Sequence, residues 1–387
     1  MRYDNARVKT TEVSVASDPP SSPGGALGAR IADEIASGGG WLGFERYMEL
    51  ALYAPGLGYY ARDDRQFGVS ARSGSDFVTA PELSPLFGRA LARQIGQALE
   101  ATGTREVWEF GAGSGALAAQ LLGELGERID RYVIVDLSGV LRERQRTVLT
   151  ERVPQWAARA VWLDALPPTF EGVVVGNEVL DAMPVALLHF DGREWHERGV
   201  ALHEGRFAFA DRATDLRPPL PGNAVPGTVT ELPRHAEGFV RTLAQRLVRG
   251  AAFFIDYGFP EAEYHHPQRS GGTLMCHRAH RMDTDPLQDV GEKDITAHVD
   301  FTAMALAGQD AGLHVLGYTS QARFLMNCGL LEQLQAGITA GNIKPVAAAQ
   351  KLLAEHEMGE LFKVIGFAAG APFDALGFAR GDRSHTL

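Results

Sequence analysis

Cysteine, long apolar runs and positive charge are all scarce in this sequence. The 387 residues include two cysteines, Cys276 and Cys328, which cannot form a disulfide framework and cannot by themselves close a tetrahedral zinc site. No stretch approaches the roughly 18 consecutive apolar residues of a membrane span. These absences predict a cytoplasmic protein that holds no metal and does not insert into a membrane.

The shortage of positive charge excludes further classes. The 37 Lys and Arg face 48 Asp and Glu, so the net charge is −11 at pH 7. A chain this acidic lacks the basic surface of a protein that binds nucleic acid or an anionic membrane. Hydrophobic residues make up 45% and charged residues 22%, which is typical of a folded globular protein. Residues 1–26 are the exception, because a Ser-Pro-Gly cluster and no apolar core predict a disordered leader.

Short apolar runs alternate with amphipathic segments from residue 101 to residue 387. Runs of strand length cover 107–110, 132–135, 160–163, 173–175, 251–255, 313–318 and 362–367. Continuous apolar strands separated by helices are typical of a parallel sheet that is covered on both faces. The predicted fold class is therefore α/β, with a doubly wound, Rossmann-like sheet.

Three segments depart from this alternation. Residues 27–100 show helical periodicity on both sides of a loop at 54–76, which predicts a helical N-terminal region. Residues 186–231 alternate apolar and polar side chains around Asp191-Gly192 and Glu204-Gly205, which predicts inserted β-hairpins. Residues 258–300 are rich in His, Arg, Asp and Gly, and are predicted to form a lid or substrate loop.

A glycine loop joins the first predicted strand of the sheet to the helix that follows it. The loop contains Glu109, Gly111, Gly113 and Gly115, and it fits both the dinucleotide pattern G-x-G-x-x-A and the E-x-G-x-G-x-G pattern of S-adenosylmethionine (SAM) methyltransferases. Glycines let the backbone turn tightly, and the helix N-terminus offers free N–H groups to a ligand. The pattern alone leaves NAD, SAM and a simple packing turn as alternatives.

Two aspartates end the next two strands. Asp136 follows Gly111 by 25 residues, at a position where a carboxylate accepts both ribose hydroxyls of an adenosine, which NAD and SAM share. Asp164 ends the third strand, where an acidic residue accepts a hydrogen bond from an adenine amino group, as recurs in SAM enzymes. The alternative for each aspartate is a helix N-cap.

The fourth strand runs into a polar turn that carries Asn177, Glu178 and Asp181. Ligands of open α/β sheets bind beyond the carboxyl ends of the strands, so this turn is predicted to lie beside the glycine loop. Two carboxylates hold a guanidinium fork, whose pKa lies above about 12, and sharpen its nucleophilicity for methyl transfer. The alternative is that Asn177 caps a helix and the two acids face the positive end of its dipole.

Two further polar pairs follow later strands. Asp256 and Tyr257 end the fifth strand and either support the site or cap a loop. Asp300 is interpreted as the N-cap of a helix that begins at Phe301, with His298 packed locally. A role near the substrate is the alternative for His298 and Asp300.

Taken together, these motifs resemble the MidA family of SAM-dependent methyltransferases. The match lies in 44–60 (FERYMELALYAPGLGYY), 76–87 (DFVTAPELSPLF), 109–115, 176–184 (GNEVLDAMP), 256–258, 294–301 (DITAHVDF) and 358–362 (MGELF). Characterised mitochondrial members of that family are protein arginine methyltransferases that assist assembly of respiratory complex I. One departure is Ala112, where many relatives have proline, and it leaves the glycines of the loop in place.

The resemblance implies a seven-stranded methyltransferase sheet in residues 101–387, with SAM as the cofactor. It also implies that Thr79, Pro81 and Glu82 help to form the cofactor pocket, together with the glycine loop. The hypothesis is a SAM-dependent methyltransferase that acts on an arginine of a partner protein, with a peripheral-arm subunit of complex I as the first candidate. The alternatives are a methyltransferase for a small molecule and an assembly factor that binds SAM without turnover.

Overall fold

The computed structural model describes residues 25–62, 79–136, 139–219, 224–278, 281–339, 341 and 345–387. Most of the predicted leader at 1–26 and most of the predicted loop at 54–76 lie outside the described residues, as does Asp76. None of the described helices has the length and apolar character needed to cross a membrane.

Strands and helices alternate along the chain. The described strands are β1 (Leu42–Gly43), β2 (Glu106–Phe110), β3 (Arg131–Val135), β4 (Ala160–Leu163), β5 (Phe170–Asn177), β6 (Ala186–Phe190), β7 (Trp195–His203), β8 (Arg206–Ala213), β9 (Val229–Leu232), β10 (Leu247–Phe259), β11 (Met275–Arg278), β12 (Arg281–Asp283), β13 (Asp294–Thr296), β14 (Val299–Asp300), β15 (His314–Ser320) and β16 (Phe362–Ala369). The described helices are α1 (Ala26–Ser37), α2 (Phe44–Tyr53), α3 (Ala80–Leu83), α4 (Pro85–Thr102), α5 (Ala116–Leu125), α6 (Gly139–Arg152), α7 (Arg234–Arg246), α8 (Glu261–Tyr264), α9 (Phe301–Asp310), α10 (Gln321–Asn327), α11 (Leu330–Thr339), α12 (Pro345–Leu353) and α13 (Met358–Leu361).

The main sheet has the strand order β15-β16-β10-β5-β2-β3-β4, and the short β14 pairs with β10. Strands β2, β3, β4, β5 and β10 are parallel, whereas β16 runs antiparallel to both of its neighbours. Each of the seven apolar runs predicted as strands lies in this sheet, which confirms the α/β prediction. The chain leaves β2 toward β3 on one side and later returns to β5 on the other. The switch point therefore lies between the carboxyl ends of β2 and β5.

Both faces of the main sheet are covered, and the pleat of β5 shows how. Val173 and Val175 pack into the layer that contains α4 and α5, whereas Val174 packs into the layer that contains α7 and α9. Successive side chains of a strand point to opposite faces, so a strand buried on both sides must be apolar at every position. This requirement is why the sequence shows continuous apolar runs there.

A second sheet forms from the predicted hairpins. Strands β1, β7, β6 and β9 pair in that order, β8 pairs with β7, and all of these contacts are antiparallel. Helices α1 and α2 pack on this sheet, where Tyr47 and Val200 are fully buried in one apolar cluster with Ile295 of β13. The N-terminal helices and the two predicted insertions therefore share one core, separate from the core of the main sheet.

A buried carboxylate ties the predicted lid to the second sheet. Glu231 of β9 is 1% exposed, and its Oε1 accepts hydrogen bonds from the backbone N–H groups of Thr273 at 2.6 Å and Leu274 at 3.2 Å. Its Oε2 accepts a hydrogen bond from Tyr264 Oη at 3.0 Å. A buried carboxylate with several donors is costly to disturb, because breaking one bond leaves a polar group unsatisfied. These hydrogen bonds hold the segment from α8 to β11 against strand β9.

We predict that Gly250→Ala destabilises the main sheet. Gly250 of β10 faces Gly172 of β5, and a Cβ added at Gly250 would lie 1.8 Å from the carbonyl oxygen of Gly172. The strands must separate to accept it, so the free energy of unfolding should fall by about 2 kcal/mol. Urea denaturation measures this change. Gly238→Ala is the control, because the new Cβ on helix α7 meets no described atom within 4 Å and should be neutral or stabilising.

Candidate active site

A cavity of about 1160 Å³ opens at the carboxyl ends of β2, β3, β5 and β10, at the switch point of the main sheet. The glycine loop forms one wall, and the N-terminal region and the predicted lid form the other. Ten of the twelve predicted site residues line it: Thr79, Pro81, Glu82, Glu109, Gly111, Gly113, Asp136, Asn177, Glu178 and Asp181. Gly115 and Asp164 do not line it.

The glycine loop turns from β2 into α5 through left-handed backbone. The φ angles are +61° at Gly111, +50° at Gly113 and +82° at Gly115. Gly115 is the residue before the first turn of α5, and a Cβ there would lie 3.1 Å from Cα of Gln145. Gly111 and Gly113 therefore form the cavity wall, and Gly115 allows α5 to approach α6 closely. The loop leads to a helix N-terminus, which suits polar or anionic ligand groups.

Glu109 precedes the loop at the end of β2 and is 2% exposed. Tyr132 Oη donates to its Oε2 at 2.7 Å. Burial is the main cause that raises the pKa of Glu109 to about 8, the hydrogen bond from Tyr132 opposes this shift, and the nearby Asp136 adds to it. Glu109 therefore carries a proton at neutral pH while the cavity contains no cation.

Asp136 is held by a residue that the sequence did not single out. Gln145 of α6 is fully buried, and its Nε2 donates to Asp136 Oδ2 at 2.9 Å and to the carbonyl oxygen of Gly113 at 3.1 Å. Trp162 of β4 donates from Nε1 to Gln145 Oε1 at 2.8 Å, which fixes the orientation of the amide. Gln145 thus connects the glycine loop to the carboxylate. Its only sequence signal is a glutamine in an otherwise Arg- and Glu-rich helix.

Asp164 lies outside the cavity lining. Its side chain is 90% exposed and forms an ion pair with Arg142 at 2.7 Å. Arg142 also donates to the backbone carbonyl oxygens of Asp136 and Leu163, each at 3.1 Å, and so joins the ends of β3 and β4. The prediction that Asp164 contacts an adenine amino group stays a prediction.

The turn after β5 is not a helix. Glu178 has a φ of +55°, which is uncommon for a residue with a side chain, and its N–H donates to the carbonyl oxygen of Ile255 at 2.9 Å. The alternative in which Asn177 caps a helix with Glu178 and Asp181 at its N-terminus is therefore wrong. Such local strain is characteristic of functional sites whose surroundings hold the backbone in place.

Asp256 supplies that support from the adjacent strand β10. Its Oδ2 accepts hydrogen bonds from three consecutive backbone N–H groups, those of residues 179, 180 and 181, at 3.1, 2.9 and 3.3 Å. Its Oδ1 accepts a hydrogen bond from the N–H of Tyr257 at 3.0 Å. Asp256 is 1% exposed and does not line the cavity. Asp256 was predicted either to support the site or to cap a loop, and the structure shows that it supports the turn that lines the site.

Two residues of the turn that line the cavity have acceptor oxygens without described donors. Asn177 Nδ2 donates to Glu178 Oε1 at 2.9 Å, and Tyr257 Oη donates to Asp181 Oδ2. Asn177 Oδ1 and Asp181 Oδ1 are buried and have no hydrogen-bond partner among the described residues. A buried acceptor without a donor costs free energy, so these oxygens favour a ligand that carries N–H groups.

The two carboxyl groups of the turn also favour a cation. Burial is the main cause that raises the pKa of Glu178 to about 8, and the neighbouring Asp181 adds to it. Burial likewise raises the pKa of Asp181 to about 6, against the hydrogen bond from Tyr257. A bound cation lowers both values, because it stabilises the ionised carboxylates.

Two tyrosines, Tyr53 and Tyr60, form the opposite wall. Tyr60 Oη donates to Asp294 Oδ1 at 2.8 Å, and Tyr53 Oη donates to the carbonyl oxygen of Ala182 at 2.9 Å. The two rings stack with their centroids 5.6 Å apart. Tyr53, Tyr60 and Asp294 all fall in segments that resemble the MidA family. This resemblance is the feature of the sequence that points to them as site residues.

Asp300 and His298 have different roles. Asp300 Oδ1 accepts a hydrogen bond from the N–H of Ala303 at 3.1 Å, which confirms it as the N-cap of α9. His298 lines the cavity, with its ring 5.3 Å from that of Tyr257 and 5.2 Å from that of Phe259. Burial lowers the pKa of His298 to about 4, so its imidazole is neutral at physiological pH.

Acidic side chains predominate over basic ones in the cavity wall. Seven acidic side chains line it, namely Glu49, Glu82, Glu109, Asp136, Glu178, Asp181 and Asp294. No lysine or arginine lies among the described lining residues. An acidic, enclosed wall attracts cations and repels phosphate groups. It therefore favours the sulfonium of SAM over the pyrophosphate of NAD.

A mainly parallel sheet with a glycine loop at its switch point, an aspartate at the end of the next strand and an acidic cavity is typical of enzymes of the SAM-dependent methyltransferase class. The family model of S-adenosyl-L-methionine-dependent methyltransferases matches residues 90–319, and the chain belongs to that family. SAM is its cofactor. The curated relatives include mitochondrial protein arginine methyltransferases. The Drosophila melanogaster homolog is 28% identical over 92% of this chain and 87% of its own length, and the Danio rerio protein is 27% identical over 82% and 81%.

A solved structure is similar over almost the whole chain. It is a Burkholderia thailandensis protein bound to S-adenosyl-homocysteine and provisionally assigned as a methyl transferase, with 55% identity over 94% of this chain and 96% of that chain and a TM-score of 0.89.

The predicted cytoplasmic location is wrong, because the curated relatives are mitochondrial proteins. Scarce cysteine argues only against an oxidising compartment and does not distinguish one reducing compartment from another.

We predict that Gln145→Leu weakens cofactor binding. The variant removes the donor that holds Asp136 and the carbonyl of Gly113, so calorimetry should show S-adenosylhomocysteine binding at least about tenfold more weakly. Thr147→Ala on the same helix is the control, because Thr147 is exposed and bonds only within α6. Equal affinity in Gln145→Leu and the parent protein would contradict this role for Gln145.

Proposed function

We propose that this enzyme transfers a methyl group from SAM to an arginine guanidinium of a partner protein. The observation that carries the proposal is the turn after β5, where Glu178 and Asp181 line an acidic cavity and Asp181 Oδ1 lacks a described hydrogen-bond donor. A guanidinium brings both a positive charge and a planar fork of N–H donors, which matches two carboxylates. Relatives that are named protein arginine methyltransferases support the same acceptor.

The chain's own residues do three things in this reaction. Gly111, Gly113 and Asp136 hold the cofactor, and we assign Thr79, Pro81, Glu82 and Glu109 to the same pocket because they share its lining. Bound SAM supplies an electrophilic methyl group on a sulfonium sulfur. Glu178 and Asp181 hold the guanidinium so that one of its nitrogens faces this methyl group. Asn177 fixes Glu178 through its amide N–H.

The proton balance explains why carboxylates are needed. The nitrogen forms a bond to the methyl carbon as the carbon–sulfur bond breaks, and the electron pair stays on sulfur. The new methylated nitrogen then carries an excess proton, which a carboxylate accepts and passes to water. Glu178 suits this step, because burial favours its protonated form and so opposes the lowering of its pKa by the bound guanidinium.

The surroundings of the cavity favour a protein as the substrate. Helix α2 and the predicted lid both border the cavity, whereas small-molecule enzymes usually close a compact pocket. By family resemblance, a peripheral-arm subunit of complex I is the first candidate substrate.

We predict that Glu178→Gln abolishes methylation of a protein band. Extract from cells that lack the enzyme is incubated with methyl-labelled SAM and purified protein, and label is followed in proteins and in metabolites. Loss of the carboxylate should reduce labelling at least about 100-fold, because the acceptor loses both a charge partner and a base. Mass spectrometry of the labelled band should find methylarginine.

Glu204→Gln is the matched control for Glu178→Gln. Glu204 is exposed on the turn between β7 and β8 and, like Glu178, has a positive φ of +51°. It should label as the parent does. Label in metabolites alone would indicate a small-molecule methyltransferase, and no label with intact SAM binding would indicate an assembly factor without turnover.

We also predict a rising pH profile. The ionised form of Glu178 binds the guanidinium, and the pKa of about 8 in the free enzyme means that this form is scarce below pH 8. The value of kcat/KM should therefore rise about tenfold per pH unit between pH 6 and 7 and level off above pH 8. The value of kcat should vary less, because the bound cation lowers the pKa. Constant kcat/KM over this range, with cofactor affinity unchanged, would rule out this role for Glu178.

A further inference from the structure

Large apolar side chains are exposed at the mouth of the cavity. Among the exposed large apolar residues of the described chain, two line the cavity: Met282, which is 70% exposed, and Leu361, which is 51% exposed. Met275 and Met358 are partly buried and belong to the same lining. We call these four residues the apolar rim. Exposed apolar side chains that border a functional cavity indicate a binding surface.

The rim lies on the acceptor side of the cavity, away from the glycine loop. Leu361 immediately precedes Phe362 of β16, and Phe362 pairs with Tyr257 at the carboxyl end of β10. The glycine loop follows β2, which is separated from β10 by β5. Neighbouring strands lie about 4.8 Å apart, so about 10 Å separate β10 from β2. A cofactor on the glycine loop therefore leaves the rim to the other substrate.

Both exposed rim residues are held in place by their neighbours. Met282 is the central residue of β12, and the adjacent Asp283 accepts a hydrogen bond from Lys293 Nζ at 2.9 Å. Leu361 ends α13, where Glu360 Oε1 accepts a hydrogen bond from Arg383 Nη1 at 2.5 Å. The backbone that carries the rim is therefore positioned before a ligand arrives, which lowers the entropic cost of binding.

We propose that the apolar rim binds a large aliphatic side chain of the protein substrate, within a few residues of the methylated arginine. The inference rests on the proposed function and adds a sequence preference to it. The rim is continuous with the cavity that takes the guanidinium, so an extended segment with its arginine in the cavity passes over Met282 and Leu361. Methionine suits this task, since its flexible thioether adapts to several aliphatic shapes. Water leaves both surfaces on contact, which stabilises the complex.

The test measures peptide binding without turnover. Fluorescent 13-residue peptides, a length of roughly 40 Å when extended, carry a central arginine in a Gly/Ser background and one leucine at a position from three residues before to three residues after it. Their anisotropy is titrated with enzyme saturated with S-adenosylhomocysteine. At least one leucine position should tighten binding about tenfold relative to the all-Gly/Ser peptide. The double variant Met282→Ser/Leu361→Ser should lose this preference and keep the parent affinity for S-adenosylhomocysteine.

Leu306→Ser is the matched control, because Leu306 is 50% exposed on α9 and does not line the cavity. It should keep the preference. The proposal is overturned if the parent shows no preference for any leucine position, if no peptide binds, or if the double variant keeps the preference. Repeating the series with citrulline in place of arginine separates the two claims. Equal affinity for the arginine and citrulline peptides, with the leucine preference retained, would support the rim and contradict the guanidinium assignment.

Discussion

The carboxylate of Asp256 determines the shape of the turn on which the chemistry depends. Three consecutive N–H groups converge on one of its oxygens, and this arrangement holds residues 179–181 in a conformation that is not a helix. Glu178 can then keep its uncommon positive φ, and Asp181 lines the cavity while Tyr257 donates to one of its oxygens. The strain at Glu178 is thus maintained by a group that itself does not line the cavity.

The structure shows where part of the acidic charge of the chain lies. The net charge of −11 excludes classes of partner but says little about a site. In the structure, seven acidic residues converge on one cavity from segments spread between Glu49 and Asp294. Several of them are buried, and burial raises the pKa of Glu109 and Glu178 to about 8. In the free enzyme, some of these acidic groups are therefore protonated and neutral. A bound cation stabilises their ionised form, so they lose their protons when it binds.

The sheet was predictable because its signal is local, whereas the details of the site were not. An apolar run such as 173–175 indicates a buried strand by itself, and strand ends then indicate where polar residues gather. The turn at Glu178 depends on Asp256, which lies on another strand, and Asp136 depends on Gln145, which belongs to no motif. Asp164 occupies the expected strand end, but its side chain turns to Arg142, and nothing in the local sequence favours that ion pair over the cavity.

The position of the last strand has a consequence for synthesis of the protein. Strand β16 is an interior strand, because it lies between β10 and β15, and among the described strands β15 pairs with β16 alone. A nascent chain therefore cannot close its main sheet until residues 362–369 have left the ribosome. Before that, β10 exposes a long apolar edge, and open edges of this kind pair readily with other chains. Loss of residues 362–369 would remove the strand that joins β10 to β15 and so open the middle of the sheet.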